Sequence, residues 1–276
     1  MAFDPKVFAT RTKTALVYAA VMLTGLLWNE WSFFVLFSIV HTGAWMEFLK
    51  LSQKTYEGFS IEPWWKQIHF PLLGWGWMLM NTSHSMQIGS FDLSSIGEWL
   101  IRISFVVIIL NIVVEKKFRQ KDFMIFLKGF MYLSVSLAFL INIRSGWLWN
   151  ADESESSIAK MLSSFSGKLI SLLIVLGIWI NDTMAYIVGS FIGKTPLSKW
   201  SPKKSWEGTI GGILLSVGLI NLIAATQWNF SFDMLAISLT VAVAGTFGDL
   251  YESRLKRLAG VRSEEHTSEL QSRQYL

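Results

Sequence analysis

The 276-residue chain contains no cysteine. That absence excludes a disulfide framework, a thiolate metal site and a cysteine nucleophile, and says nothing of the redox compartment. Charge is also scarce, at 16% of residues. There is no internal repeat of fixed period and no low-complexity linker, so nothing in the sequence divides the chain into modules.

What the sequence has in abundance is apolar surface. With 52% hydrophobic residues and 14 tryptophans, it carries more than a soluble fold of this length could bury, which marks a polytopic membrane protein. Apolar runs that span hydrocarbon, or nearly so, fall at about 14 to 28, 31 to 49, 67 to 80, 99 to 114, 123 to 142, 169 to 192, 208 to 226 and 232 to 250. The expected fold class is therefore all-α, an integral membrane domain of about eight transmembrane helices. Pro71 is expected in the first turn of the third helix, where its missing N–H costs nothing. The first run follows Lys6, Arg11 and Lys13 but ends in LLWNEW without a small-residue cleavage pattern. It reads as a retained helix rather than a signal peptide.

The net charge of +4 is modest, and its distribution is more informative. If the N-terminus is cytoplasmic, the inside segments hold Lys6, Arg11 and Lys13; Lys50, Lys54 and Lys66; Lys116, Lys117, Arg119 and Lys121; Lys194, Lys199, Lys203 and Lys204; and Arg254, Lys256 and Arg257. The outside loops keep only Arg144, Lys160 and Lys168, beside the acidic run Asp152 to Glu155. Eight helices with both ends inside satisfy the positive-inside rule.

Two acids interrupt this pattern. Asp182 sits deep in LISLLIVLGIWINDTMAYIVGSFIG. An ionised carboxylate at mid-membrane costs roughly 2.5 to 3.5 kcal/mol, so it normally faces a partner or a wet cavity. Helical spacing puts Asp182, Tyr186, Gly189 and Gly193 on one stripe, suited to close helix packing. Asp249, in AVAGTFGDLYESRLKRLAG, shares a face with Gly245, Glu252 and Lys256, with Ser253 beside them. Each acid also has a bland reading, as a buried hydrogen-bonded aspartate and as an interfacial helix-end residue. Together they could hold a hard divalent cation such as Mg²⁺.

Between them lies SPKKSWEGTIGG, Ser201 to Gly212. Lys203 and Lys204, with Ser201 and Ser205, are suited to phosphate oxygens, and the segment precedes a helix expected to start near Gly208. The competing reading is that the lysines only fix topology. GSFIGKT, Gly189 to Thr195, resembles a Walker loop, but its glycines are one residue too close and no strand precedes it.

NDTMAYIVGSFIGKTPLSKWSPKKSWEGTIGG followed by GTFGDLYESRLKRLAGV resembles the phosphatidate cytidylyltransferase, or CDP-diacylglycerol synthase, family. The likeness is close from Asp182 to Val261 and covers the earlier helices only in hydropathy and in details such as WMEFLKL. It implies transfer of a cytidylyl group from CTP to phosphatidate, with Mg²⁺, one ion or more, as cofactor. By position, it makes Asp182, Lys203, Lys204 and Asp249 catalytic, with Asp182 and Asp249 as metal or metal-water ligands. Lys203, Lys204, Lys256 and Arg257 would clamp phosphates, Ser201, Ser205 and Ser253 would donate hydrogen bonds, and Glu207 would orient the loop. CTP, phosphatidate and membrane lipid are the expected partners; nucleic acid is not, and a homodimer is left open. The expected location is a bacterial plasma membrane, with N-terminus and active site cytoplasmic.

The family pattern continues past Val261 into a Lys-Asp pair, a PGHGG segment and a last membrane helix, where this chain reads RSEEHTSELQSRQYL. That stretch resembles the translation of a sequencing-library adapter. The expected organisation is one membrane-embedded domain over 1–261, its catalytic part at 180–261, and a non-native tail over 262–276, with the family's last helix missing and activity of the chain as written in doubt. Two other readings compete. A CTP-dependent lipid kinase would transfer the γ-phosphoryl group instead. A transporter would show a second copy of the Asp182 to Gly212 pattern, which is not found.

Overall fold

The computed structural model describes residues 5–60, 65–83, 86–114, 120–145, 167–227 and 232–261. Residues 115–119 of the loop expected over 115–122, the acidic run Asp152 to Glu155 with Lys160, and the tail at 262–276 lie outside the described residues; Gln120 to Asp122 of that loop belong instead to a helix. Each of the eight predicted apolar runs falls on a helix: α1 Pro5–Leu27, α2 Glu30–Thr55, α3 Trp65–Met80, α4 Leu93–Val114, α5 Gln120–Ser145, α6 Gly167–Ile192, α7 Trp206–Gln227 and α8 Phe232–Leu258. Among the described residues, six are long and apolar enough to cross a membrane, namely α2, α4, α5, α6, α7 and α8. The protein is an integral membrane protein, since these lengths match the hydrocarbon thickness and their sequences leave few charges to solvate. In α1 the apolar helix is the shorter Leu16–Leu27, and α3 has 16 residues, so the expected count of eight crossings rests on these two.

Two details depart from the sequence expectation. Pro71 lies inside α3 rather than in its first turn, because the helix begins at Trp65, six residues upstream. There its ring removes a backbone hydrogen bond to the preceding turn. The chain is also not wholly helical. Gln87–Ile88 (β1) pairs antiparallel with Phe91–Asp92 (β2), and Pro196–Ser198 (β3) with Ser201–Ser205 (β4).

The chain forms two compact units. In the first, α3 and α4 cross closely where Gly97 stands against the backbone of Gly76 and Met80; a Cβ there would lie 2.5 Å from Met80 N. Helix α5 widens into a π-helical segment at Phe130–Val135. The widening carries Ser134 to a buried polar cluster, where Trp45 Nε1 donates to Ser134 Oγ at 2.9 Å and His41 Nε2 lies 2.9 Å from the same hydroxyl. Insertions of this kind reorient a side chain without ending the helix.

The second unit contains α6, the β3–β4 hairpin, α7 and α8. Small residues let α6 and α7 approach until backbones meet. A Cβ on Gly212 would lie 2.6 Å from Ala185 Cβ, and one on Gly208 would lie 2.8 Å from Ala185 O. In lipid, where apolar helices gain little by hiding from their surroundings, such contact is what drives association. Helix α8 closes in a Schellman turn: Gly260, at φ +66°, donates to Arg257 O, and Val261 donates to Lys256 O.

Candidate functional site

Asn181 decides where its neighbour Asp182 points. It is buried, and its amide Nδ2 donates to Thr246 Oγ1 at 3.2 Å and Ala242 O at 3.4 Å, both on α8. These bonds lock the rotation of α6 against α8. They leave the next residue, Asp182, directed away from that seam, half-exposed at its side chain. Three residues beyond Thr246, α8 presents Asp249.

The two carboxylates come to one cation. Lys204 Nζ lies 2.7 Å from Asp249 Oδ2 and 3.9 Å from Asp182 Oδ1. Lys204 is carried by β4, which ends at the first turn of α7, so three elements converge on its ammonium. Asp249 Oδ2 is shut off from solvent and accepts no directed hydrogen bond. Its contact with Lys204 is an ion pair, with acceptor capacity left over. A hard cation uses carboxylate oxygens of this kind, so the pair fits magnesium, with water and phosphate oxygens completing the shell. Among the described residues no group of three or more acids and histidines could hold a metal by itself.

The hairpin is held by Glu207 in the first turn of α7. Its carboxylate accepts from the backbone N–H groups of Lys194 and Thr195, at 3.1 and 3.2 Å, and from Thr195 Oγ1. Thr195 O in turn accepts from Trp206 N at 2.9 Å. Thus the end of α6 and the start of α7 are stapled, and Lys204 leaves the staple at a fixed height. Ser205 is the α7 N-cap: its Oγ accepts from Gly208 N at 3.1 Å. That places the helix start at Trp206, two residues before the expected Gly208.

Of the remaining predicted residues, Ser253 sits half-buried on α8, and Lys256 Nζ is bound to Glu252 Oε1 at 2.7 Å. Arg257 Nε donates to Trp200 O at 3.4 Å. Ser201 begins β4 opposite Ser198, and Lys203 projects from the exposed part of that strand. Tyr186, assigned by spacing to the Asp182 stripe, is 77% exposed. Gly189 and Gly193 of that stripe instead receive Ser205 and Gly208. The Walker-like GSFIGKT is the end of α6 and its exit, packed on the hairpin, and makes no phosphate loop. Sequence reasoning passed over Asn181, Thr195, Trp200 and Thr246. Only Asn181 carried a signal, an amide in the middle of an apolar run.

Comparison with known proteins matches the chain to one family. The model of the Cytidylyltransferase family matches residues 9–264. The phosphatidate cytidylyltransferase of Aquifex aeolicus (strain VF5) is 42% identical over 92 residues, 33% of this chain and 34% of that protein. Phosphatidate cytidylyltransferase 4, chloroplastic, of Arabidopsis thaliana is 38% identical over 98 residues, 35% of this chain and 25% of its own length. The Staphylococcus epidermidis phosphatidate cytidylyltransferase is 28% identical over 180 residues, 60% of each chain. The chain thus spans between 25% and 60% of the length of these curated relatives.

Proposed function

The chain belongs to the cytidylyltransferase family, and from that premise we propose that it makes CDP-diacylglycerol from CTP and phosphatidate. A phosphate oxygen of phosphatidate forms a bond to the α-phosphorus of CTP, the bond from that phosphorus to the β-phosphate bridging oxygen breaks, and pyrophosphate leaves with the electron pair. The observation that carries this reading is the convergence of Asp182 and Asp249, each within a membrane-spanning helix, on Lys204 of the hairpin that leaves the end of α6. A lipid substrate and a soluble nucleotide can meet only at such a boundary.

Phosphoryl-group chemistry of this type is dominated by positioning and by neutralising negative charge. Asp182 and Asp249 would hold magnesium, which when bound supplies charge neutralisation for the triphosphate. The ammonium of Lys204 between the two carboxylates supports a cation site at that point. Lys204 and Lys203 lie on the strand that would face the phosphates, and Glu207 keeps that strand at its height through Lys194 and Thr195. Asn181 sets the rotation of Asp182. The site opens to the cytoplasm in this reading, in a bacterial plasma membrane, with α1 and α3 completing eight crossings.

The reading is tested with CTP labelled separately in cytosine and in the γ-phosphate, supplied with phosphatidate to membranes containing the protein. Cytosine label in the lipid fraction is expected. γ-Label in lipid would replace it with a lipid kinase, and no label in lipid would remove both.

A further inference from the structure

An anion needs cations that are not already neutralised. Two of the four cations assigned to phosphate binding are paired with carboxylates: Lys204 with Asp182 and Asp249, and Lys256 with Glu252. Three cations that meet no carboxylate among the described residues, Lys199, Arg254 and Arg257, gather elsewhere, around Trp200 at the turn of the β3–β4 hairpin. Lys199 Nζ lies 5.0 Å from the centroid of the indole ring and Arg254 Cζ lies 5.7 Å from it. Arg257 Nε donates to the carbonyl of the same residue. Three positive charges on one tryptophan repel one another, and cation–π attraction offsets only part of that cost at an exposed site.

The position of the cluster tells what would neutralise it. The hairpin joins the end of α6 to the start of α7, two membrane-spanning helices, so Trp200 stands at a membrane boundary. Arg254 and Arg257 lie past Asp249, near the Schellman turn that ends α8. At 100° per residue they point roughly 140° and 80° away from the Asp249 face, whereas Lys256 stays within roughly 20° of it. The cluster therefore faces a different direction from the carboxylate pair. An amphipathic indole ringed by arginine and lysine at the interface matches the chemistry of an anionic headgroup, apolar below and phosphate above.

We infer that Lys199, Trp200, Arg254 and Arg257 form a binding site for the phosphate of an anionic phospholipid at the membrane surface, separate from the Asp182–Asp249 pair. A lipid held there would fix the turn of the hairpin whose other end carries Lys204. The inference needs neither nucleotide nor metal, and it gives Arg257, which the resemblance assigns to the substrate-phosphate clamp, to the lipid site at Trp200 instead.

The test uses the whole chain in a zwitterionic detergent, labelled with 5-fluorotryptophan, with the Trp200 resonance identified by its loss in Trp200→Phe. Titration with dihexanoyl phosphatidylglycerol is expected to shift that resonance to saturation, and dihexanoyl phosphatidylcholine is expected not to. Lys199→Gln with Arg254→Gln should raise the half-saturating concentration roughly tenfold or more, the effect of removing two of three cations beside an anionic lipid. Lys199→Arg with Arg254→Lys should keep it within about threefold, because charge is retained. Unchanged dispersion of the other fluorine signals reports that the variants fold. An equal response to phosphatidylcholine, an unchanged half-saturation in the glutamine variant, or equal binding of inorganic phosphate would each overturn the site as a lipid-phosphate site. All three leave the labelled-CTP result untouched, so the two readings fail separately.

Discussion

Lys204 Nζ lies 2.7 Å from Asp249 Oδ2, linking the strand before α7 to the face of α8. A lysine in that position has the charge of a metal site's occupant but only a single unit of it. The same geometry makes Lys204 a competitor for any divalent cation held by the pair.

Manganese binding, read by electron paramagnetic resonance, should expose that competition. Lys204→Met should raise Mn²⁺ affinity by about fivefold, the equivalent of about 1 kcal/mol for a partly exposed ion pair. Asp249→Asn should lower it by tenfold or more, since an amide oxygen gives a hard cation no charge, at roughly the scale of losing a ligand or its support. Equal affinities in all three proteins would show that the carboxylates hold no cation. The folding cost of losing the ion pair itself is small, about 0 to 1 kcal/mol, because Asp249 is more than a third exposed.

Asn181→Ala removes two interhelical hydrogen bonds, to Thr246 and Ala242. Measured membrane values for such bonds, about 0.6 to 1.7 kcal/mol, set the expected loss of stability in a denaturation series. The Mn²⁺ affinity should fall in the same variant, because Asp182 loses its fixed rotation. A stability loss with unchanged metal affinity would assign Asn181 to packing alone.

Gly212→Ala and Gly218→Ala lie on the same helix and should move stability in opposite directions. At Gly212 the new Cβ meets the Ala185 backbone at 2.7 Å, and backbone cannot rotate away, so a destabilisation of about 1 to 3 kcal/mol is expected. At Gly218 nothing lies within 4 Å, and alanine should be neutral or stabilise by up to about 1 kcal/mol. Thermal midpoints of the two variants against the parent decide the matter.

Glu207→Ala should release the hairpin. The amides of Lys194 and Thr195 lose their acceptor, and hydrogen exchange at those two positions should accelerate by about tenfold or more, as charge-assisted bonds are lost. Exchange within α6 before Gly189 should stay as it was. Unchanged exchange at Thr195 would mean the staple is not closed in the membrane.

The orientation is checked with cysteine, which the parent lacks. Single cysteines at Lys54 and Lys199 should resist a membrane-impermeant thiol reagent in intact cells and react after permeabilisation. Labelling of both from outside would reverse the orientation and separate the site from cytosolic CTP.

The sequence by itself determined the membrane class and the eight helical segments, and singled out Asp182 and Asp249, which the structure brings to one lysine, because hydropathy and helical spacing are local properties of consecutive residues. It also placed Glu207 at the loop, through the resemblance carried by SPKKSWEG. It could not show that Pro71 lies inside its helix, since the polar residues upstream carry no apolar period. It did not reveal the β3–β4 hairpin either, because five residues with two lysines read equally well as a loop until another strand pairs with them. Only the tertiary structure decided which cations were already taken. Lys204 looked like a phosphate ligand in the sequence, and folding delivers it to carboxylates on two other elements; Lys199 and Arg254 looked like topology signals, and folding brings them to one indole. The charge on a side chain is written in the sequence, but whether it is neutralised depends on residues some 50 positions away, which the chain alone does not bring together.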